Sequence, residues 1–183
     1  MLFFCMINTG FTGLLQLGEM TVSDILHLWD SCKVVSHSSL SWVDNEHEFL
    51  LPAHKANTTF KGNRVHIACI INAPDPQPFM KHFTTSHNRL FPLHPQLWLR
   101  NNGTVPTHPW FLHRLSAYCP PDIAGQSMPA GGATTLTEAG TPGELIRGAG
   151  HWSSDAFERY IQKNVIVLHM LILGRSLHYS HRP

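Results

Sequence analysis

The apolar positions of this chain change from helical spacing to rough alternation and then back to helical spacing. The first segment, from Leu2 to about Leu17, is apolar and predicts a helix. Asp44-Asn45 offers a hairpin turn in the segment that follows. Three short segments with strand character surround and follow this turn, namely Ser39–Val43, Glu48–Pro52 and Arg64–Ile71. Together they predict a small antiparallel sheet of three strands.

The rest of the chain has a helical pattern interrupted by loops. Phe91–Thr107 is rich in Pro, Asn and Gly, which is typical of a loop. Thr107 can cap the helix that follows, and Pro109 is tolerated in the first turn of that helix. Helices are predicted at Gln77 to about Thr84, His108–Tyr118, Ala130–Ala139, Pro142–Ala149, Ser154–Lys163 and Val165–Leu173. One helix, a small sheet and then several helices indicate an α+β fold.

The composition fits one domain but is poor in charge. The chain has 183 residues, of which 43% are hydrophobic and only 14% are charged, against a usual quarter. This low charge fits either a piece of a larger protein, whose missing part covers apolar surface, or a reading frame under weak selection. The net charge of +1 is not that of a stand-alone nucleic-acid binder, so any DNA contact needs a local patch or a partner domain.

Several classes of protein are not indicated. The apolar N-terminal run has no preceding Lys or Arg and is interrupted by Gly10 and Gly13, so neither a signal peptide nor a membrane span is predicted. The histidines show no metal-ligand spacing in a predicted helix, and no metal or cofactor is expected. The cysteines lie far apart without a CxxC pair, which predicts reduced thiols in an intracellular protein: Cys5, Cys32, Cys69 and Cys119.

The C-terminal third carries a specific combination of motifs. Residues 124–164 read AGQSMPAGGATTLTEAGTPGELIRGAGHWSSDAFERYIQKN. A GGAT segment in the first helix is followed by a Gly150-His151-Trp152 turn, and Tyr160 lies nine positions after His151. This combination resembles the C-terminal block of tyrosine recombinases, which are phage-integrase-like enzymes, and most closely the integrase-like proteins of fungal genomes.

The resemblance extends upstream in family order. Thr9 to Thr21, TGFTGLLQLGEMT, resembles the helix that carries the first catalytic arginine, and Leu50 to Ile67 resembles the β-hairpin that carries the catalytic lysine, here Lys55. Arg89 to Leu115 resembles the link into the next helix. The resemblance implies a mainly helical catalytic domain over residues 1–174 and a tail at 175–183, without the DNA-clamping N-terminal domain.

The resemblance also implies roles for individual residues. Tyr160 would attack a DNA phosphodiester and form a phosphotyrosine bond, and the phenol, with a pKa near 10, must lose its proton as it attacks. Lys55 would protonate the departing 5′ oxygen, and His151 would contact the scissile phosphate. Three flanking basic residues are candidate DNA contacts, although a solvated helix face is the more common explanation of such residues: Arg147, Arg159 and Lys163.

Three catalytic positions of the family hold other residues here. Gln16 stands at the first arginine, and the His-x-x-Arg element has Gln126 and Pro129 at its His and Arg positions. Glutamine donates a hydrogen bond without charge, and proline offers neither a side-chain donor nor an N–H. Loss of one preorganised donor of this kind costs about 3 kcal/mol in the transition state. We therefore expect very slow DNA cleavage or none.

Three hypotheses follow. The chain is a truncated, degenerate recombinase-like catalytic domain, or a non-catalytic DNA-binding or interaction remnant of a domesticated mobile element, or the product of a decayed reading frame that does not fold stably. The first two imply double-stranded DNA as partner and a location inside the cell, in the nucleus. The apolar helix Val165–Leu173 can either exchange between subunits of a homo-oligomer or pack on its own domain.

Overall fold

The computed structural model describes residues 1–25, 27, 29–52, 62–71, 73–153 and 157. Within them, six helices and one three-stranded antiparallel sheet confirm the predicted α+β fold. The helices are α1 (Leu2–Thr12), α2 (Leu17–Met20), α3 (Gln77–Leu90), α4 (His108–Ser116), α5 (Ser127–Glu138) and α6 (Gly143–Ala149). The strands are β1 (Ser41–Val43), β2 (Glu46–Leu51) and β3 (Asn63–Ile67), and single 3-10 turns lie at Ser31–Lys33 and His37–Ser39.

The sheet has the order β1-β2-β3, and its first turn is the predicted Asp44-Asn45 pair. Both turn residues have positive φ, 48° and 69°, as in the type I′ turn that matches the twist of a two-residue hairpin. Asp and Asn adopt this conformation more readily than other residues with a side chain. Residues 53–61 of the connection from β2 to β3, which include Lys55, lie outside the described residues.

Alternate residues of β2 and β3 are buried in the main core. Phe49 and Leu51 of β2 are fully buried there together with residues of α1, α3 and α4. A buried glutamine at the start of α3 ties this helix to the sheet. Gln77 Nε2 donates to the carbonyl of Ile67 (2.7 Å), and Gln77 Oε1 lies 2.6 Å from Nδ1 of the buried His47. Because Oε1 can only accept, His47 donates from Nδ1.

Helix α1 ends five residues before its predicted limit at Leu17. The reason is Leu14, which adopts a left-handed conformation with φ 53°. The N–H of Leu15 then donates to the carbonyl of Gly10 (3.0 Å), which is the six-to-one hydrogen bond of a Schellman helix end. The backbone is extended at Gln16 before α2 begins, so Gln16 caps a separate short helix and does not lie within α1.

The bounds of the later helices also differ from the predictions. Helix α3 continues to Leu90, α4 ends at Ser116, and α5 begins at Ser127. The early start of α5 is compatible with Pro129, because the N–H groups of a first helical turn have no intrahelical partner to lose. The predicted cap of α4 is confirmed, since Thr107 Oγ1 accepts the N–H of Trp110 (3.4 Å).

The two glycines of the GGAT segment lie where α5 crosses α1. A Cβ atom on Gly132 would lie 2.0 Å from the carbonyl oxygen of Phe11, and one on Gly131 would lie 2.8 Å from the ring of Phe11. The absence of side chains therefore allows α5 to rest directly on the backbone of α1. Beside this crossing, a second apolar cluster contains Leu14, Ala133, Ile146 and Phe157.

Candidate functional site

A cleft of about 420 Å³ lies where the N-terminal ends of α2, α4 and α5 meet the turn after α6. Its lining includes Gln16, Gly18, His108, Gln126, Pro129 and Trp152. The cleft thus brings together all three positions at which the resemblance identified replaced catalytic residues. Gln16 is distant in sequence from Gln126 and Pro129, and it approaches them where the start of α2 packs near the start of α5. A Cβ atom on Gly125 would lie 2.8 Å from the side chain of Leu17.

Gln16 enters the cleft from the N-terminus of α2. Its N–H donates to Glu19 Oε2 (2.7 Å), and the N–H of Glu19 donates back to the carbonyl of Gln16 (2.9 Å). This reciprocal pair satisfies both groups at the start of a four-residue helix. Burial raises the pKa of the Glu19 carboxyl to about 7, although the hydrogen bond from Gln16 acts in the opposite direction.

Gln126 and Pro129 enter from the start of α5. Gln126 is the exposed N-cap residue of this helix, and Pro129 is buried in its first turn. Neither contributes a positive charge, and Pro129 has no hydrogen-bond donor of any kind. The wall of the cleft that these two residues form is therefore uncharged.

The Gly-His-Trp turn ends α6 and presents a tryptophan to the cleft. The N–H of His151 donates to the carbonyl of Gly148 (3.1 Å), and that of Trp152 donates to the carbonyl of Arg147 (3.2 Å). These two bonds form a Schellman end in which His151, with φ 51°, occupies the left-handed position that usually holds glycine. Trp152 lines the cleft, and its ring stacks on Phe157 at 5.9 Å.

Trp152 was not singled out from the sequence, although a signal was present. In the tyrosine recombinases either a His or a Trp contacts the scissile phosphate, and this turn contains both residues in succession. His151, the residue chosen from the sequence, is half-buried in the turn beside the cleft. Its assignment as the phosphate contact stays a prediction.

His108 is a second cleft residue that sequence reasoning passed over. It is the first residue of α4, and its Nδ1 lies 2.9 Å from the hydroxyl of Thr21. The Cε1 edge of the ring stands over α2, because a Cβ atom on Gly18 would lie 3.6 Å from it. Nothing in the local sequence marks this histidine, since its partners Gly18 and Thr21 belong to another part of the chain.

Comparison with known proteins identifies the fold. No protein-family model matches the chain, and no curated protein sequence matches it significantly. Two similar solved structures are of the XerH site-specific recombinase. The pre-cleavage complex with difH substrate has a TM-score of 0.60 and 13% identity over 85% of this chain and 41% of that chain. The post-cleavage complex with palindromic difH substrate has a TM-score of 0.61 and 12% identity over 97% and 44%.

The chain has a tyrosine-recombinase-like fold. It spans less than half the length of the XerH chains that it matches. At 12–13% identity the likeness shows the fold and not the chemistry of the cleft.

The described lining of the cleft contains neither Arg nor Lys. Arg147, a predicted DNA contact, binds Glu144 within α6 through Nη2 (2.7 Å) and Nε (3.2 Å). It must share or leave that carboxylate to reach a phosphate. The other predicted site residues lie outside the described residues, and their roles stay predictions: Lys55, Arg159, Tyr160 and Lys163.

The described residues contain no group of three or more His, Cys, Asp or Glu side chains that could hold a metal ion. None of the described helices has both the length and the apolar character needed to cross a membrane.

Proposed function

We propose that residues 1–174 form a tyrosine-recombinase-like catalytic domain that binds duplex DNA at the cleft and cleaves it very slowly or not at all. The observation that carries this proposal is the cleft itself, which brings together Gln16, Gln126 and Pro129. The resemblance implies phosphate-gripping arginines at two of these positions, and the described lining of the cleft contains no arginine. The likeness to XerH, which was crystallised with DNA substrates, supports DNA as the partner.

Physical chemistry gives the expected size of the catalytic defect. Attack by tyrosine builds negative charge on the phosphate oxygens, and arginine stabilises this charge through two parallel hydrogen bonds. Loss of one preorganised donor costs about 3 kcal/mol, and two independent losses slow the reaction by on the order of ten-thousandfold. Retained Tyr160, Lys55 and His151 cannot replace these bonds from their own proposed positions.

Restoring the arginines tests the proposal. A nicked suicide duplex traps a covalent protein–DNA adduct, and we expect none from the natural chain within an ordinary assay time. The double variant Gln16→Arg/Pro129→Arg is expected to form an adduct that disappears when Tyr160→Phe is added. Adduct formation by the natural chain at the rate of an active recombinase would contradict the proposal.

A matched control separates catalysis from charge. Gln16→Arg/Ala130→Arg adds the same charge to the same cleft, because Ala130 also lines it, but moves one arginine by a single position. We expect this variant to bind DNA more tightly without forming the adduct. Equal adduct formation by both double variants would show that added charge alone, and not the arginine position, accounts for the reaction.

The second candidate function is a non-catalytic DNA-binding remnant of a domesticated mobile element. The uncharged cleft wall and the Arg147–Glu144 pair favour it over a working enzyme. It predicts cooperative thermal unfolding and salt-dependent duplex binding, but no adduct even after the arginines are restored. A decayed chain would show no cooperative transition.

Several finer features belong to the same proposal. The fungal integrase-like ancestry, the nuclear location and the exchange of helix Val165–Leu173 between subunits are inferred from the resemblance alone. Sedimentation of the full chain with and without a cognate duplex tests the exchange. We expect a larger assembly on DNA, and a monomeric complex at all concentrations would contradict it.

A further inference from the structure

We propose that His108 is the cationic phosphate contact of the cleft and binds one phosphodiester oxygen of duplex DNA through Nε2. This inference rests on the proposed function for the source of the phosphate. Three features of the described structure carry it: the orientation of the imidazole ring, the composition of the cleft wall, and the chemistry that an imidazole offers to an anion.

Thr21 determines which nitrogen of the His108 ring carries the proton of the neutral imidazole. The Thr21 hydroxyl lies 2.7 Å from the carbonyl oxygen of Leu17, which can only accept, so the hydroxyl proton points there. Its contact with His108 Nδ1, at 2.9 Å, must then be a hydrogen bond donated by Nδ1. The second nitrogen, Nε2, has no hydrogen-bond partner within the described part of the chain and is left for a ligand.

The described lining of the cleft offers few other groups that could bind an anion. The described lining has no Arg or Lys, and Gln16 and Gln126 are uncharged. His108 is the one described lining residue whose side chain can carry a positive charge.

The direction of the hydrogen bond couples phosphate binding to proton uptake. With Nδ1 carrying the proton, a neutral ring presents the Nε2 lone pair, which repels a phosphate oxygen. Protonation converts Nε2 into a charged donor, and a charge-assisted hydrogen bond can form. DNA binding through His108 is therefore expected to strengthen as the pH falls.

The elements around the ring carry other titratable groups. Helix α2 carries Glu19, the segment after it carries Asp24, the turn after α6 carries His151, and α4 itself carries His113 and Arg114. The start of α5 presents the uncharged Gln126 and Pro129 to the cleft. Glu19, whose pKa burial raises to about 7, becomes neutral at low pH and so acts in the same direction as His108.

Duplex affinity at two pH values tests the inference on the full chain. Fluorescence anisotropy with a labelled duplex is measured at about pH 5.5 and about pH 8.5, on either side of the usual histidine range. His108→Gln is expected to remove roughly tenfold of the tightening at low pH, the size of one charge-assisted hydrogen bond. His108→Arg is expected to bind tightly at both pH values.

Three variants serve as controls. His113→Gln changes an exposed histidine of α4 that does not line the cleft, and Glu19→Gln removes the other titration; both are expected to keep the His108-dependent tightening. Thr21→Val removes the partner that orients the ring and is expected to lose part of the tightening. Equal thermal transitions across the variants show that folding is unchanged.

The outcomes separate this inference from the proposed function. If His108→Gln has the same pH profile as His113→Gln, the inference is overturned. If the natural chain binds no duplex at either pH, the proposed function fails, and dimethyl phosphate followed by imidazole ¹⁵N NMR decides the inference. A shift of the His108 Nε2 resonance then supports it, and an unchanged resonance overturns it.

Discussion

Helix α5 serves the frame of the molecule in its middle and the candidate site at its N-terminus, and the two parts differ in what they tolerate. In the middle, Gly132 lies so close to the carbonyl of Phe11 that no side chain fits. At the N-terminus, Gln126 and Pro129 occupy positions to which the resemblance assigns His and Arg, yet the helix starts normally. The middle of α5 thus tolerates no side chain at the helix crossing, whereas its first turn accommodates a proline.

The physical reason is that the two demands are independent. A backbone contact between α1 and α5 contributes directly to the free energy of folding, so a substitution there changes the stability of the chain. A charge that points into a cleft contributes to binding a phosphate and little to folding. In the first turn of a helix even proline costs no hydrogen bond. The described fold therefore forms without positive charge at positions 16, 126 and 129.

The largest expected effect comes from disrupting the crossing of α1 and α5. Gly132→Ala places a Cβ atom 2.0 Å from the carbonyl oxygen of Phe11 and forces α5 away from α1, so we expect a loss of about 3 kcal/mol or more in the free energy of unfolding. Gly148→Ala is the matched control, because no atom lies within 4 Å of its added Cβ within α6. It is expected to stabilise the chain by about 0.5–1 kcal/mol. Urea unfolding measures both, and equal effects would refute the assigned role of Gly132.

An intermediate effect is the pH dependence that Glu19 gives to the free energy of unfolding. The folded chain holds the Glu19 proton to about pH 7, but the unfolded chain releases it near 4.5, so the free energy of unfolding falls as pH rises between these values. Glu19→Gln keeps an acceptor for the N–H of Gln16 and removes the titration. We expect it to be more stable than the natural chain by about 2 kcal/mol at pH 8. Little difference is expected near pH 4.5.

An exposed carboxylate provides the control for this effect. Glu144→Gln changes an exposed group that pairs with Arg147, and we expect less than about 1 kcal/mol at either pH. Burial lowers the pKa of His47 and of His87, so both oppose the Glu19 trend, but they are common to all three proteins and cancel in the differences. A Glu19→Gln difference that does not change with pH would show that its carboxyl is not perturbed.

The smallest effect compares two helix ends. Helices α5 and α6 end with the same hydrogen bonds, but the left-handed residue is Gly140 in the first and His151 in the second. His151→Gly is expected to stabilise the chain by about 1 kcal/mol, and Gly140→Ala to destabilise it by about the same amount. Thermal unfolding measures both. A destabilised His151→Gly would mean that contacts of the imidazole outweigh its backbone strain.

Local features were predictable where a few neighbouring residues suffice. Asp44-Asn45 signalled its turn because both residues tolerate positive φ, and Thr107 signalled the start of α4 because its hydroxyl can reach an N–H three residues away. The end of α1 was not predictable in this way. Leu14 fits the apolar pattern of a continuing helix. In the structure it packs in one cluster with Ala133 and Ile146, and its left-handed conformation ends α1.

By itself, the sequence determined the order of the elements, the motifs that resemble a recombinase, and the absence of arginine at positions 16 and 129. Only the tertiary structure decided that Gln16 and Pro129 share a cleft, that Gly132 carries the crossing of two helices, and that Thr21 orients His108. The reason is physical. Turns and caps depend on bonds between near neighbours, but a cleft depends on which distant backbones can approach each other.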